Sequence, residues 1–175
     1  MQINISEIIS TDYKVQTFSP EIEMEAFCLD GERYNFIRKS PVELKAQNEG
    51  HSVVNFSGHV DVTIDIPCSR CLTSVPTRLD FDFSQKVDFE KLKAEQLDDL
   101  DETSFMEESS LDVDRFVYNE ILMRFPMKTL CREDCKGLCN VCGQNLNTGS
   151  CNCEDTGLDP RMSVIRDVFK NFKEV

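Results

Sequence analysis

The residues in this chain best suited to chemistry are its nine cysteines. Eight of them fall in three tight groups: Cys68 and Cys71; Cys131 and Cys135; and Cys139, Cys142, Cys151 and Cys153. Clustered thiols in a reducing compartment point to metal more often than to disulfides. Cys139-Asn-Val-Cys142-Gly143 has the spacing of a zinc knuckle. Two thiolates so spaced can point at one ion, and a glycine after the second lets the chain turn back and donate amides to the sulfurs. Tetrahedral zinc takes four such ligands at about 2.3 Å. Cys151-Asn-Cys153 follows closely enough to complete the set, and Asn145, Asn147 and Gly149 make the intervening segment a turn. The alternative for these four is a small core of reduced thiols, or a disulfide.

Cys68-Ser-Arg-Cys71 and Cys131-Arg-Glu-Asp-Cys135 each supply half of a second tetrahedral site. Two four-cysteine sites are thus the natural division. A single site that mixes Cys131 or Cys135 with the knuckle, leaving the other thiols free, is the competing one. Either way, the expected cofactor is structural zinc, one or two ions. Four thiolates leave no open position, whereas catalytic zinc keeps one and usually has His or carboxylate ligands. His51 and His59 lie away from every cysteine group and are expected at the surface or in packing. No nucleophile motif, phosphate-cradling loop or HExxH is present, and seven glycines leave little room for a glycine-rich loop. Cys28, between Phe27 and Leu29, is expected as a buried apolar residue.

The elements that must position these thiols are mainly strands. Ile22, Met24 and Ala26 alternate with acids; Val42, Leu44 and Ala46 with polar residues; Val60, Val62, Ile64 and Ile66 with Asp61, Thr63 and Asp65; and Leu79, Phe81 and Phe83 with Arg78, Asp80 and Asp82. A period of two marks half-buried antiparallel strands. Gly31, Ser40–Pro41 and Asn48–Glu49–Gly50 supply turns, and Pro67 to Pro76 is a hairpin-length connection that carries Cys68 and Cys71. A helix over about 111–125 follows, with Ser110 as its N-cap and Asp112 and Asp114 at the positive end of its dipole. Val113, Phe116, Val117, Ile121 and Arg124 keep helical spacing, and Pro126 stops the helix. A last helix starts at Asp159–Pro160, with Ile165, Val168, Phe169 and Phe172 as its packing stripe.

The expected fold class is α+β. An antiparallel sheet, barrel-like or strongly twisted, is covered by a helix and followed by a small cysteine-rich zinc-binding module and a terminal helix. The expected units are residues 1–126, with an acidic insert at about 88–110, and residues 127–175, packed on the first. With 175 residues the chain can bury a real core. Its longest unbroken apolar run is Ala26–Phe27–Cys28–Leu29, too short to span a membrane, and Met1–Ser10 has no Lys or Arg, so no secretory signal is expected. The expected compartment is the cytoplasm. Formal net charge is −13, against a protein that holds nucleic acid by bulk electrostatics. Most of that charge lies between Asp88 and Asp114, with eleven acids against two lysines. Its part from Asp88 to Ser110 is expected as a solvated loop or a short exposed helix, the alternative being a site for a basic partner such as a ribosomal protein.

The order of parts is itself informative. Pro67-Cys-Ser-Arg-Cys71-Leu72 sits in a strand connection, followed by the acidic stretch and Leu122-Met-Arg-Phe-Pro126-Met-Lys128. Then come Cys131 through Asn147, with Cys135-Lys-Gly-Leu-Cys139 at its heart, Cys151-Asn-Cys153, and Asp159-Pro160-Arg161. This chain resembles, over nearly its whole length, the YceD family of large ribosomal RNA subunit accumulation proteins. The resemblance implies a bacterial or organellar factor that supports synthesis, processing or stability of large-subunit (23S) ribosomal RNA. It also implies genes near that of a small large-subunit ribosomal protein, and no enzymatic activity. Family members that lack most of the C-terminal cysteines imply that metal stabilises this module and is not the function itself. The residues carried over are Cys68, Arg70, Cys71, the Cys131–Cys153 cluster and Asp159-Pro160-Arg161.

The expected function is therefore a non-enzymatic ribosome-biogenesis factor with structural zinc. Its partners are ribosomal RNA precursor or large-subunit assembly and ribosomal proteins, with no membrane and no small-molecule substrate. The acidity means repulsion from RNA at long range. Contact then runs through a basic protein, or through a local patch of Arg70, Arg124, Lys128, Arg132 and Lys136 beside the cysteines. Those bases are interspersed with Glu133 and Asp134, which favours the protein route. Two other readings are a redox-responsive zinc–thiolate switch, in which oxidation releases metal and unfolds the module, and a zinc-ribbon interaction module with an unrelated partner.

Overall fold

The computed structural model describes residues 1–90, 105–107 and 109–153. In chain order the elements are β1 (Gln2–Asn4), α1 (Ser6–Ser10), β2 (Val15–Phe18), β3 (Ala26–Leu29), β4 (Glu32–Lys39), β5 (Glu43–Gly50), β6 (Val53–Pro67), β7 (Ser74–Asp88), β8 (Met106–Glu107), β9 (Ser110–Asp112) and α2 (Val113–Arg124). The architecture is mostly antiparallel sheet with helices, and the cysteine clusters stand towards its C-terminal side.

The long strand β6 organises the main sheet. One of its edges pairs with β7 over its whole length, from Val53↔Asp88 to Pro67↔Ser74. Its other edge is shared: β5 takes Val53 to His59, and β4 takes Val62 to Ile64. β2 extends the sheet from β5, and β3 from β4. Among the described residues no ladder joins β2 to β3. The alternation expected for β6 holds: Val60, Val62, Ile64 and Ile66 are buried. Leu79 and Phe83 on β7, and Leu44 and Ala46 on β5, are buried as well. A smaller sheet, in the order β1-β9-β8, closes against the same core.

α2 covers this core. Asp112 caps it, accepting from the amides of Asp114 at 3.1 Å and Arg115 at 3.2 Å. Phe116 meets Phe83 of β7 edge-on at 4.9 Å and Phe105 at 5.1 Å. Past the helix end, Phe125 stacks on Phe27 at 5.1 Å, and Tyr118 Oη donates to the Cys28 carbonyl at 2.8 Å. Glu120, nearly buried among these apolar groups, accepts from Arg124 at 2.6 Å, and the Arg124 guanidinium lies 4.5 Å from the Phe81 ring centre. Burying the carboxylate requires that partner.

Several expectations are corrected. The alternation of Ile22, Met24 and Ala26 does not make a strand there; Ile22 is buried, but the strand begins only at Ala26. Cys28 is exposed, because Phe27 points into the core and a strand turns its next residue outward. The turn expected at Asn48–Glu49–Gly50 is instead His51–Ser52, both at positive φ (+55° and +58°). Asn48 stays inside β5, fully buried, donating to the Ile8 and Ile9 carbonyls and accepting from the Gly50 amide. Ser110 does not cap the helix; it belongs to β9, and Asp112 takes the role. The acidic insert is not loop throughout: Phe105 is fully buried, and β8 and β9 pair within it. Its residues 91–104 and 108, and the terminal helix expected from Asp159, lie outside the described residues.

Candidate metal centres

The connection from β6 to β7 is folded tightly by its own backbone. The Cys68 amide donates to the Thr73 carbonyl at 2.8 Å and the Leu72 amide to the Cys68 carbonyl at 2.9 Å. Leu72 takes φ +58°, unusual for a bulky residue, and its side chain is exposed. The segment after α2 runs alongside: the Ser69 amide donates to the Thr129 carbonyl at 2.8 Å, and the Thr129 amide to Ser69 Oγ at 3.1 Å. Those two bonds bring Cys131 and Cys135 over Cys68 and Cys71. Arg70 clamps the arrangement, its guanidinium donating to the carbonyls of Cys135 at 2.8 Å and Glu133 at 3.3 Å.

The sulfurs of Cys68, Cys71, Cys131 and Cys135 all lie within 4.8 Å of one another. Cys68 Sγ is 3.9 Å from Cys135 Sγ, and Cys71 Sγ is 3.5 Å from Cys131 Sγ. A tetrahedron of sulfurs about 2.3 Å from a central ion has edges of roughly 3.8 Å, and both distances sit beside that value. Cys68, Cys71 and Cys135 form a buried cluster with Val75, Leu130 and Leu138 packed on it, separate from the main core.

Cys139, Cys142, Cys151 and Cys153 form the second group within the same 4.8 Å limit. The knuckle turns as its spacing predicts. The Gly143 amide donates to the Cys139 carbonyl at 2.9 Å with φ +74°, and the Val141 amide donates to Cys139 Sγ at 3.4 Å. The eight sulfurs thus gather into two groups of four, each of which could hold one ion. Among the described residues neither histidine joins a group; His59 lies between Asp80 and Asp82, and His51 is in the turn before β6.

Electrostatics mark both groups as places where negative charge is wanted but cannot be shared. Donation from the Arg70 amide lowers the Cys68 thiol to about 6, and Thr73 lowers Cys71. Cys131, exposed but hydrogen-bonded to Cys71 and crowded by Cys135 and Cys68, is pushed up to about 12. In the second group the Cys142 and Val141 amides bring Cys139 to about 7, while a bond to Cys142 pushes Cys153 up to about 12. Four crowded sulfurs release some protons easily and others hardly at all. A divalent cation removes that conflict, because all four then bind as thiolates. The donor set fits a soft or borderline ion in a closed structural site.

The five candidate contact bases are not equally available. Arg70 is committed to backbone carbonyls, Arg124 to Glu120, and Arg132 to Asn147 Oδ1 at 2.8 Å and Asp134 at 3.4 Å. Lys128 and Lys136 complete the set on the same segment. Asn147, expected from the sequence only to help form a turn, does more here. Its Nδ2 donates to Cys135 Sγ at 3.3 Å, a role that no spacing rule announces.

Comparison with known proteins places the sequence among relatives. The family model described as large ribosomal RNA subunit accumulation protein YceD matches residues 56–169, a span that holds both cysteine groups. The protein YlbN of Bacillus subtilis is 29% identical over 139 residues, 78% of this chain and 79% of its own length. A chloroplastic YCED homolog of Zea mays, named as a large ribosomal RNA subunit accumulation protein, is 33% identical over 64 residues, 36% of this chain and 22% of its own. ML1660 of Mycobacterium leprae is 25% identical over 108 residues, 61% of this chain and 50% of its own length. No solved structure matches the chain.

Proposed function

The chain belongs to the YceD family of large ribosomal RNA subunit accumulation proteins, and we propose that it is a ribosome-biogenesis factor that acts without catalysis on the synthesis, processing or accumulation of 23S ribosomal RNA. The family match over residues 56–169 carries this reading. Both cysteine groups hold zinc in it, with Cys68, Cys71, Cys131 and Cys135 on one ion and Cys139, Cys142, Cys151 and Cys153 on the other. Zinc there serves as a staple: it ties the β6–β7 connection to the segment beyond α2 and folds the module that follows.

Contact with the ribosomal machinery runs through a basic large-subunit assembly or ribosomal protein. Three of the five candidate bases are already engaged within the chain, and the net charge is −13. Both facts favour a protein partner over direct contact with RNA phosphates. The working compartment is the cytoplasm; among the described residues no helix is long and apolar enough to cross a membrane. We take residues 1–126 and 127–175 as the two units, joined through the buried cysteine cluster, which draws Cys68, Cys71 and Val75 from the first and Leu130, Cys135 and Leu138 from the second. Two strands paired over fifteen residues accumulate a large twist, which supports a strongly twisted sheet over a closed barrel.

The redox-switch reading is less favoured, because the thiols held low, Cys68, Cys71 and Cys139, are the buried ones. The test is the ratio of large to small ribosomal RNA in cells depleted of this protein. A selective fall in the large species is expected. An unchanged ratio removes the proposal.

A further inference from the structure

We infer that the two four-cysteine centres are coupled, so that closing the second tightens metal in the first, with Asn147 as the side chain that transmits the effect. The inference rests on the metal reading above. It starts from how short the connection is. Only Lys136, Gly137 and Leu138 separate Cys135 of the first centre from Cys139 of the second. That link is pinned from both sides. The Leu138 amide donates to the Arg70 carbonyl in the β6–β7 connection at 3.1 Å, and the Leu146 amide, from the loop of the second centre, donates to the Gly137 carbonyl at 3.0 Å. Gly137 sits at φ +80°, and a Cβ there would come within 3.0 Å of the Arg70 carbonyl oxygen, so the link is both strained and crowded for any other residue.

Asn147 belongs to the second centre's loop, between Cys142 and Cys151, yet its side chain works on the first centre. Nδ2 donates to Cys135 Sγ at 3.3 Å. Oδ1 accepts from the Lys136 amide and from the Arg132 guanidinium, both at 2.8 Å. Its position is set by Asn145, whose Oδ1 accepts from the Asn147 amide and from Nδ2, both at 2.9 Å. A donor on a metal-bound sulfur orients the ligand and disperses its charge. The loop that carries this donor is closed when Cys151 and Cys153 join Cys139 and Cys142 on one ion. Opening the second centre therefore withdraws a hydrogen bond from the first.

The test uses the whole chain loaded with zinc or with cadmium in reducing buffer. Cadmium gives one resonance per centre, and Cys68→Ser identifies the first. Asn147→Asp keeps the acceptor that holds Lys136 and Arg132, but removes the donor and sets a carboxylate oxygen against Cys135 Sγ. In this variant the first centre is expected to surrender zinc to EDTA about tenfold faster or more, the scale of one hydrogen bond to a charged atom. Its cadmium resonance shifts while that of the second centre stays. Cys139→Ser with Cys142→Ser, which abolishes the second centre, is expected to loosen the first in the same way. Unchanged release and an unchanged first resonance in both variants overturn the coupling. A first centre loosened by the cysteine pair but not by Asn147→Asp overturns the assignment to Asn147. A native chain that takes up no zinc or cadmium overturns the metal reading and the coupling with it.

Discussion

Single residues decide this fold where space or charge leaves no alternative. Gly58 is the sharpest case. It pairs with Leu44 across the β5–β6 ladder. A Cβ there would intrude on the Glu43 carbonyl oxygen and lie 2.8 Å from the Phe83 ring. Neither neighbour can retreat, since one is ladder backbone and the other is core. Gly58→Ala is expected to cost about 3 kcal/mol by overpacking, read as a lower urea midpoint with an unchanged slope. His59 shows charge at work. Asp82 accepts from its Nδ1 at 2.9 Å, Asp80 lies 3.3 Å from Nε2, and Glu43 also faces it, so its pKa stands above 6.5. A raised folded pKa means that the charged ring is favoured in the fold. Its contribution is complete below the unfolded value of 6.5 and fades as pH rises through the higher folded value. The gap in urea midpoint between the native chain and His59→Gln should therefore be widest in mild acid and close in alkali. A gap that widened with rising pH would refute the assignment.

At the scale of elements, ends matter more than middles. α2 is placed by its cap, by Phe116 on Phe83, and by Phe125 on Phe27. Both Ser110 and Asp112 have the chemistry of a cap, but only Asp112 has its carboxylate on the free amides of the first turn. Asp112→Ala should cost about 1 kcal/mol, whereas Ser110→Ala should cost well under half of that; thermal unfolding of the two variants compares them. The same logic governs the β6–β7 connection. It holds two cysteines because β6 and β7 are in register to their last pair, Pro67 with Ser74, which fixes where the loop emerges. The segment beyond Pro126 then lies against that loop through Ser69 and Thr129.

For the molecule as a whole, the main core and the cysteine cluster are distinct bodies of buried side chains. Metal removal should therefore act unevenly. Zinc-loaded protein is expected to hold two equivalents, and Cys68→Ser with Cys71→Ser should leave one. Chelation should raise amide hydrogen exchange over residues 127–153 far more than over β5, β6 and β7, because metal binding in such modules is folding free energy. Equal loss of protection in the sheet would mean that the two bodies fold as one.

Much of this was legible in the residues alone. Period-two alternation named the inward faces of β6 and β7, since a strand with one wet face has no other pattern to offer. Cysteine spacing pointed to the two clusters that the fold gathers, because two thiols two to four residues apart on one loop can face one ion. Family membership was likewise written in the order of these motifs. What the spacing could not decide depended on groups far apart in the chain. Cys28 is turned outward by Phe27, whose ring packs on Phe125 from beyond the helix. Asn48 is drawn into the core because the carbonyls of Ile8 and Ile9 accept its amide there, so a residue with turn chemistry sits in a strand. Asn147 reaches Cys135 only once both loops have closed. Local pattern reports which way a residue prefers to face; only the assembled structure supplies the partner that can satisfy it, and for a buried polar group that partner decides the outcome.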